Sequence, residues 1–268
     1  MLKQRILTGV ILAAVALIAV FAAGTVLFAW LTGALFLIGA YEWAGLSSLK
    51  EPLSKGLYTL IMAGLFWFSW YLPVLLIMLI AVVFWLYAIF LVVVYPKRIH
   101  LWSPPLVRML FGVFVLVPSW LALNVIHESQ NGAWVLMSLF LIVWSADIGA
   151  YFSGRFWGKR PLMPKVSPKK TLEGFAGGLF LSLLLASLMS AWLPNLTPAE
   201  WFALLTVVVL LNIYSVAGDL FESLLKRYCQ LKDSGKILPG HGGVMDRIDS
   251  LTATAPLFLF GLILMTLW

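Results

Sequence analysis

The sequence has few charged residues and almost no cysteine, and both shortages limit what the protein can be. Charged residues make up 11% of the 268 positions, whereas hydrophobic residues make up 62%. A soluble domain carries about 25% charged residues, so this composition excludes an ordinary soluble globular protein. The single cysteine, Cys229, excludes an intramolecular disulfide and a cysteine-based zinc site. We expect its thiol to pack rather than react.

Several catalytic motifs are absent as well. The chain contains no G-x-S-x-G, no P-loop, no H-E-x-x-H and no G-x-G-x-x-G. Hydrolase chemistry and dinucleotide-dependent redox chemistry are therefore poor fits. The alternating short segments of a transmembrane β-barrel are also missing.

Runs of roughly 20 apolar residues recur instead, the length that crosses a hydrocarbon core of about 30 Å. We predict an all-α, polytopic integral membrane helix bundle with about nine transmembrane helices. The predicted spans are 6–23, 25–46, 56–71, 74–95, 105–126, 132–153, 172–193, 199–219 and 249–267. The third is short because it stops at Pro73. The first has the charge pattern of a signal peptide, but the later spans favour its retention.

The predicted spans divide the chain into two regions. Residues 1–130 form about five N-terminal transmembrane helices, and residues 131–268 form a C-terminal catalytic membrane region. The second region contains two long connections, 155–171 and 220–248, and we predict that these loops carry the chemistry.

Basic residues are distributed on one side of the predicted membrane. All 18 precede span one or follow spans two, four, six and eight. The positive-inside rule places the N-terminus and these connections in the cytoplasm, and the C-terminus outside. We predict a multi-pass protein of the cell inner membrane or plasma membrane. Its basic loops would attract anionic headgroups and polyanionic solutes.

Acidic residues near span ends are the main candidates for chemistry. Asp147 lies about six residues, or roughly 9 Å, inside the end of span six. A carboxylate there is costly and usually functional, although helix–helix hydrogen bonding is a structural alternative. Asp219 ends span eight and has Ser223 at i+4, and Asp246 and Asp249 share a helix face at i, i+3.

Two lysines precede the predicted start of span seven. Lys169 and Lys170 lie directly before Thr171, a candidate N-cap. Cations at a helix N-terminus oppose the helix dipole, so this pair favours a bound anion such as phosphate. Gly174 and Gly178 have the small-xxx-small spacing of close helix packing.

Carboxylates, basic residues and glycines are together the parts of a magnesium-dependent phosphoryl or nucleotidyl transfer site. Four converging aspartates would repel a phosphate substrate unless cations lay between them. A phosphate-monoester nucleophile is largely ionised near neutral pH, because its second pKa is about 6. It needs no strong general base, so His241 is a loop or nucleotide contact, with a structural role equally open.

The region from Ser223 to Asp249 resembles the signature of a known family. It reads S-x-x-K-R-x4-K-D-x-G-x2-L-P-x-H-G-G-x-x-D-R-x-D, which is similar to the signature of the phosphatidate cytidylyltransferases (CDP-diacylglycerol synthases). The S-P-K-K-T-x-E-G stretch and the segment from Asp147 to Arg155 also resemble family segments, so the resemblance covers roughly residues 140–250. Before residue 130, only Tyr41-Glu42-Trp43 is similar, and it supports no argument alone.

The resemblance implies a reaction in which CTP and phosphatidic acid give CDP-diacylglycerol and pyrophosphate, a step of phospholipid biosynthesis. It also implies Mg²⁺ in a two-cation site and a homodimer in the lipid bilayer, and we expect no nucleic-acid partner. The residues that it carries over are Asp219, Asp246, Lys226 and Arg247 as catalytic residues, Lys169, Lys170, Ser223, Arg227, Lys232, His241, Gly242 and Gly243 as substrate contacts, and Asp219, Asp246, Asp249 and Asp147 as metal ligands.

Two other classes of function remain open. One is a different membrane transferase, such as a lipid-alcohol kinase or a glycosyl-phosphate transferase. These enzymes also use aspartates and Mg²⁺, so only the signature distinguishes them from a phosphatidate cytidylyltransferase. A transporter would place ionisable groups near the midplane, in broken helices and paired repeats. Here the charges lie at span ends and no repeat is evident, which disfavours a transporter.

Overall fold

The computed structural model describes residues 2–191, 196–238 and 240–265, without the side chains of residues 2–7, and these ranges contain nine α-helices. The helices are α1 (Leu2–Ala22), α2 (Thr25–Leu46), α3 (Pro52–Ser69), α4 (Val74–Val94), α5 (Pro105–Glu128), α6 (Gly132–Trp157), α7 (Leu172–Ser190), α8 (Pro198–Tyr228) and α9 (Met245–Leu264). A 3-10 helix, Ile99–Leu101, follows α4. An antiparallel hairpin of β1 (Pro161–Met163) and β2 (Ser167–Thr171) joins α6 to α7.

The predicted all-α, polytopic membrane bundle is confirmed. Seven of the described helices, α2 and α4 to α9, are long and apolar enough to cross a membrane. The first helix contributes a shorter apolar stretch, Thr8–Ala22, and α3 lies outside this group. Each predicted span corresponds to one helix, although the predicted ends at 193 and 267 lie outside the described residues.

Three helices of the C-terminal region extend beyond the apolar runs that predicted them. The sixth helix continues to Trp157, the eighth continues to Tyr228, and the ninth begins at Met245. Hydrophobicity marks only the membrane-buried part, whereas helix-forming polar residues can prolong a helix into the interface. Five predicted site residues of the loop 220–248 are therefore helical: Ser223, Lys226, Arg227, Asp246 and Arg247.

The hairpin within the predicted loop 155–171 is tied to the first turn of α7. Glu173 accepts hydrogen bonds from the backbone N–H groups of Lys159 and Arg160, each at 3.1 Å, and from Arg160 Nε at 2.9 Å. The predicted N-cap is confirmed, because Thr171 Oγ1 accepts from Gly174 N at 3.0 Å. These bonds fix Lys170, in β2, beside the start of the helix.

Glycines allow α6 and α7 to pack at backbone contact. A Cβ atom on Gly149 would lie 2.5 Å from the Gly177 carbonyl oxygen, and one on Gly178 would lie 2.6 Å from the Ala146 carbonyl oxygen. Side-chain carbons do not approach backbone oxygens so closely. The predicted packing role of Gly174 and Gly178 is confirmed, since both face the α6 backbone.

A buried hydrogen bond joins α5 to α9 where α9 contains a proline. Pro256 has no N–H, so it leaves the carbonyl of Thr252, four residues earlier, without its helical partner. The Ser119 hydroxyl of α5 lies 2.5 Å from that carbonyl oxygen. In lipid, an unsatisfied backbone group is costly, so this contact stabilises α9 against α5.

The basic connections meet at one end of the bundle, which we call the charged end. Arg108, at the start of α5, donates to the Leu46 carbonyl at the end of α2 at 2.6 Å and to Cys229 Sγ after α8 at 3.2 Å. Trp102, after α4, packs its ring 5.0 Å from that of Tyr228. Burial raises the pKa of the Cys229 thiol, which agrees with the expectation that it packs.

The regions 1–130 and 131–268 share one helix bundle. Helices α4 and α5 of the first region pack against α9 of the second, and α4 also packs against α8. A residue of α2 can consequently reach the start of α9, which the boundary at 130 did not anticipate. The assignment of catalysis to the second region remains a prediction.

Candidate active site

Acidic and basic side chains from four elements form a charged cluster at the charged end. Its members are Asp147 of α6, Lys170 of β2, Asp219, Glu222 and Lys226 of α8, and Asp246 and Asp249 of α9. Carboxylates outnumber ammonium groups in this cluster. All members except Glu222 were predicted site residues, either from polar residues near span ends or from the family resemblance.

One half of the charged cluster is open. Lys170 Nζ lies 2.6 Å from Asp219 Oδ2, and 36% of the Asp219 side chain is exposed. Ser223 Oγ donates to Asp219 Oδ1 at 3.2 Å, the i, i+4 contact that the spacing predicted. Asp147 is exposed on α6 and interacts electrostatically with Lys170, Asp219 and Arg247. This half is therefore accessible to a ligand.

The other half of the cluster is closed. Lys226 Nζ lies 2.5 Å from Asp246 Oδ1 and 3.2 Å from Glu222 Oε2. The Lys226 side chain is 12% exposed and the two carboxylates are more deeply buried. Buried charges lose their hydration, so each of the three depends on the others. Lys226 stabilises this half through its two ion pairs.

Asp246 also organises the loop before α9. Its Oδ2 accepts hydrogen bonds from Ser234 N and Ser234 Oγ, both at 2.9 Å, and from Gly243 N at 2.8 Å. Because Lys226 occupies Oδ1, both carboxylate oxygens have partners within the protein. The predicted catalytic and metal-binding role of Asp246 remains a prediction. A cation could bind there only by replacing one of these donors.

Glu42 enters the site from α2 and was not among the predicted site residues. Its Oε1 accepts from Val244 N at 3.1 Å, and its Oε2 accepts from Met245 N at 2.9 Å and lies 3.0 Å from Ser234 Oγ. The side chain is buried, with 5% of the residue exposed. The sequence signal was a lone carboxylate, in Tyr41-Glu42-Trp43, near the end of an apolar span.

Three glycines leave room for these carboxylates. Gly242 has φ of +79°, which L residues rarely adopt, and a Cβ there would lie 2.6 Å from Asp246 Oδ2. A Cβ on Gly235 would collide with Glu42, and one on Gly243 would collide with both Ser234 and Glu42. The protein's own contacts thus require these glycines. The predicted approach of Gly242 and Gly243 to a nucleotide remains a prediction.

The remaining predicted substrate contacts are more dispersed. The side chains of Lys169, Lys232 and Arg247 are exposed. Arg227 Nε instead donates to the Val166 carbonyl between the two strands of the hairpin at 3.4 Å. His241 Nδ1 is buried and has no hydrogen-bond partner. The three exposed cations are free to turn toward a polyanion, whereas Arg227 anchors the hairpin to α8.

The donor chemistry of the cluster fits a divalent cation. Carboxylate oxygens are the preferred ligands of Mg²⁺, and neither buried oxygen of Glu222 accepts a hydrogen bond. The Lys226 contact with Glu222 is an ion pair without directed hydrogen-bond geometry. Within 2–191, 196–238 and 240–265, however, no three acidic, histidine or cysteine side chains are grouped closely enough to enclose an ion. A cation between Asp147 and Asp219 would displace the Lys170 ammonium.

An apolar cavity adjoins the charged cluster along α8. It has a volume of about 170 Å³ and is lined by residues of α4, β1, α7 and α8. Ala217 and Leu220, which lie two residues before and one residue after Asp219 in α8, form part of its wall, and Met163 and Phe175 contribute from the hairpin and α7. The site therefore places an apolar surface and an ionic surface side by side.

Comparisons with known proteins give one consistent result. The family model described as the cytidylyltransferase family matches residues 3–265. A phosphatidate cytidylyltransferase of Haemophilus influenzae is 39% identical over 97% of this chain and 98% of its own length. The enzymes of the same name from Pseudomonas aeruginosa and Bacillus subtilis are 39% and 34% identical, each over at least 96% of both chains.

Proposed function

The chain belongs to the cytidylyltransferase family, and from that premise we propose that it transfers CMP from CTP to phosphatidic acid. The products are CDP-diacylglycerol and pyrophosphate. The observation that carries the proposal is the open half of the charged cluster, where Lys170 and Asp219 lie beside an apolar cavity. A reaction between an insoluble lipid and a soluble nucleotide needs such a junction.

The transfer exchanges one phosphoanhydride bond for another. An oxygen of the phosphatidate phosphate attacks the α-phosphorus of CTP and forms a P–O bond, while the bond from the α-phosphorus to the bridging oxygen breaks and pyrophosphate leaves with its electron pair. The attacking oxygen is already ionised near neutral pH, since the second pKa of a phosphate monoester is about 6. No side chain has to remove a proton from it.

The basic residues of the open half supply charge stabilisation. Lys170 now neutralises Asp219, so a phosphate entering the site can take over that ammonium group as its own partner. Lys169 and Arg247, whose side chains are exposed, can bind the outer phosphates and the leaving pyrophosphate. Positioned cations are effective here because negative charge accumulates on the leaving oxygen.

We also propose that the site binds Mg²⁺, with two cations as the resemblance implies. Asp147, Asp219 and Asp249 would hold the metal, and Asp246 is the fourth predicted ligand. Bound Mg²⁺ would supply positive charge that offsets the negative charge of the triphosphate beside these carboxylates. The carboxylates of the cluster need such compensation once Lys170 turns to the substrate.

The surroundings of the site suit the proposed substrates. An acyl chain of phosphatidic acid can lie in the apolar cavity while the phosphate lies near Lys170. CTP comes from the cytoplasm, so we place the N-terminus and the charged end on the cytoplasmic side of the cell inner membrane or plasma membrane, with the C-terminus outside. The homodimer that the resemblance implies is part of the proposal.

Turnover by the purified protein tests this function. With Mg²⁺, CTP and phosphatidic acid it should release pyrophosphate and form a CMP-bearing lipid, and chelation of Mg²⁺ should stop both. Asp219→Asn should lower kcat by roughly 100-fold or more, because its charge acts at the reacting phosphates. The fold should persist, since Asp219 is partly exposed.

Glu128→Gln is the matched control, because Glu128 is an exposed carboxylate at the C-terminus of α5, at the other end of that helix from Arg108. It should keep the activity of the unchanged protein. Turnover with a nucleotide sugar or a lipid alcohol, and none with CTP and phosphatidic acid, would exclude the proposed reaction. Full activity of Asp219→Asn would show that the Asp219 carboxylate has no role in the reaction.

A further inference from the structure

We infer that Glu42 is a positioning residue for the transfer. From α2, which is distant from α9 in sequence, it holds the loop before α9 and the first turn of α9 in place. The inference rests on the proposed function and adds a residue from the N-terminal region to its machinery. Glu42 hydrogen-bonds to Ser234 and to the backbone N–H groups of Val244 and Met245, rather than to a predicted catalytic or substrate-binding side chain. Its effect on the reaction passes through Asp246, Arg247 and Asp249.

Glu42 replaces a cap that α9 lacks. The first N–H groups of a helix have no partner within it, and the N-cap residue of α9, Val244, makes no side-chain cap hydrogen bond. The Glu42 carboxylate accepts from Val244 N and Met245 N, which lie 202 and 203 positions further along the chain. A negative charge at this terminus also complements the helix dipole.

Ser234 connects Glu42 to Asp246. Its hydroxyl lies 3.0 Å from Glu42 Oε2 and 2.9 Å from Asp246 Oδ2, and its backbone N–H donates to the same Asp246 oxygen at 2.9 Å. Asp246 in turn forms the ion pair with Lys226. A displacement of Glu42 therefore shifts the loop, Asp246 and the closed half of the cluster together.

The partners of Glu42 argue for positioning rather than for general stabilisation. None of the ion pairs in the described part of the chain involves Glu42. Its acceptor bonds are concentrated on the loop and the first turn of α9. Gly235 and Gly243 have no side chains that would occupy the space of its carboxylate. The sequence of the loop is thus adapted to a carboxylate from another helix.

Glu42→Gln tests the inference because it keeps the volume and removes the charge and one acceptor oxygen. We expect amide hydrogen exchange at residues 244–245 to become about tenfold faster, since these N–H groups lose a charge-assisted partner. We expect kcat to fall by about tenfold or more while KM for CTP changes by less than about threefold. Glu42→Asp, which retains the charge, should restore part of kcat.

Thr32→Val is the matched control on the same helix. Thr32 is buried and donates to the Phe28 carbonyl within α2, so its loss perturbs α2 away from the site. It should leave both kcat and the exchange at residues 244–245 unchanged. Ser234→Ala should lower kcat less than Glu42→Gln, and the double variant should be no worse than Glu42→Gln alone, because both act through one connection.

The outcomes separate the inference from the proposed function. If the unchanged protein turns over CTP and phosphatidic acid but folded Glu42→Gln keeps kcat within about twofold, the positioning role is wrong. Unchanged exchange at residues 244–245 in Glu42→Gln would also refute it. If the unchanged protein shows no turnover, the function fails, and the exchange experiment still decides whether Glu42 holds α9. Should Glu42→Gln not fold, an unaltered kcat in Ser234→Ala would overturn the inference.

Discussion

At the residue scale, Lys226 decides whether the closed half of the cluster is stable. Its ammonium lies between the carboxylates of Glu222 and Asp246, and all three side chains are largely removed from solvent. Replacing a buried ion-pair network by apolar groups can be neutral, whereas removing one partner leaves an uncompensated charge. Because Lys226 pairs with two carboxylates, its loss leaves both of them buried without a counter-charge.

Lys226→Met should consequently lower the free energy of unfolding by roughly 3–5 kcal/mol, the cost of breaking a buried pair. Denaturant or thermal unfolding in detergent would measure it. Lys50→Met, at an exposed lysine after α2, should change stability by less than about 0.5 kcal/mol. Adding Glu222→Gln to Lys226→Met should recover part of the loss. A stability equal to that of the unchanged protein would show that the two ion pairs contribute nothing.

Local contacts of the site were predictable from spacing, and distant ones were not. Ser223 and Asp219 are four residues apart in one helix, so their contact follows from helical geometry. Glu42 meets Val244 because α2 and α9 are neighbours, which depends on the packing of the whole bundle. A single carboxylate near the end of a transmembrane span indicates a functional role, because placing its charge in the membrane costs free energy. It does not indicate which backbone it will cap.

At the scale of elements, the hairpin shows what hydrophobic patterning cannot predict. Its strands span Pro161–Met163 and Ser167–Thr171, too short and too rich in proline and lysine for a strand pattern. The hairpin is ordered by contacts outside its own sequence. Glu173 of α7 binds Lys159 and Arg160, and Arg227 of α8 binds Val166.

The α6–α7 contact leads to a prediction at the same scale. Gly149→Ala would place a methyl carbon 2.5 Å from the Gly177 carbonyl oxygen, so the two helices must separate. We expect a loss of about 1–3 kcal/mol of stability, the usual cost of overpacking. Because Lys170 lies two residues before the start of α7, kcat should fall as well. Thermal unfolding and the pyrophosphate assay measure the two effects.

Gly64→Ala is the control for this substitution. Gly64 is in the interior of α3, and nothing lies within 4 Å of the position that a Cβ would occupy. Alanine is the better helix former, so this variant should be neutral or more stable by about 0.5–1 kcal/mol. If Gly149→Ala behaves like Gly64→Ala, then α6 and α7 are not in backbone contact.

At the scale of the whole molecule, contacts between helix ends determine how often the chain crosses the bundle. Leu46 at the end of α2 and Arg108 at the start of α5 are in contact at the charged end, and α4 is long enough to cross a membrane. The third helix must therefore return the chain across the bundle. Its 18 residues would span roughly 27 Å at 1.5 Å per residue, close to the hydrocarbon thickness.

Contacts at the far end of the bundle, opposite the charged end, confirm that successive helices alternate in direction. His127, near the end of α5, contacts the Val20 carbonyl near the end of α1 at 3.0 Å. Trp134, near the start of α6, packs on Phe21 with ring centroids 5.0 Å apart. Odd-numbered helices thus end where even-numbered helices begin. The sequence predicted this arrangement from charge alone, because basic residues avoid translocation.

Which end faces the cytoplasm is a prediction that cysteine labelling can decide. In a Cys229→Ser background, Gln130→Cys would place a thiol between α5 and α6, at the far end, and Lys236→Cys would place one in the loop before α9; both positions are exposed. A membrane-impermeant maleimide should label Gln130→Cys in intact cells and should label Lys236→Cys only after permeabilisation. The positive-inside rule requires this result, since the basic connections belong to the charged end. Labelling of Lys236→Cys in intact cells would place the site outside, where CTP does not reach it.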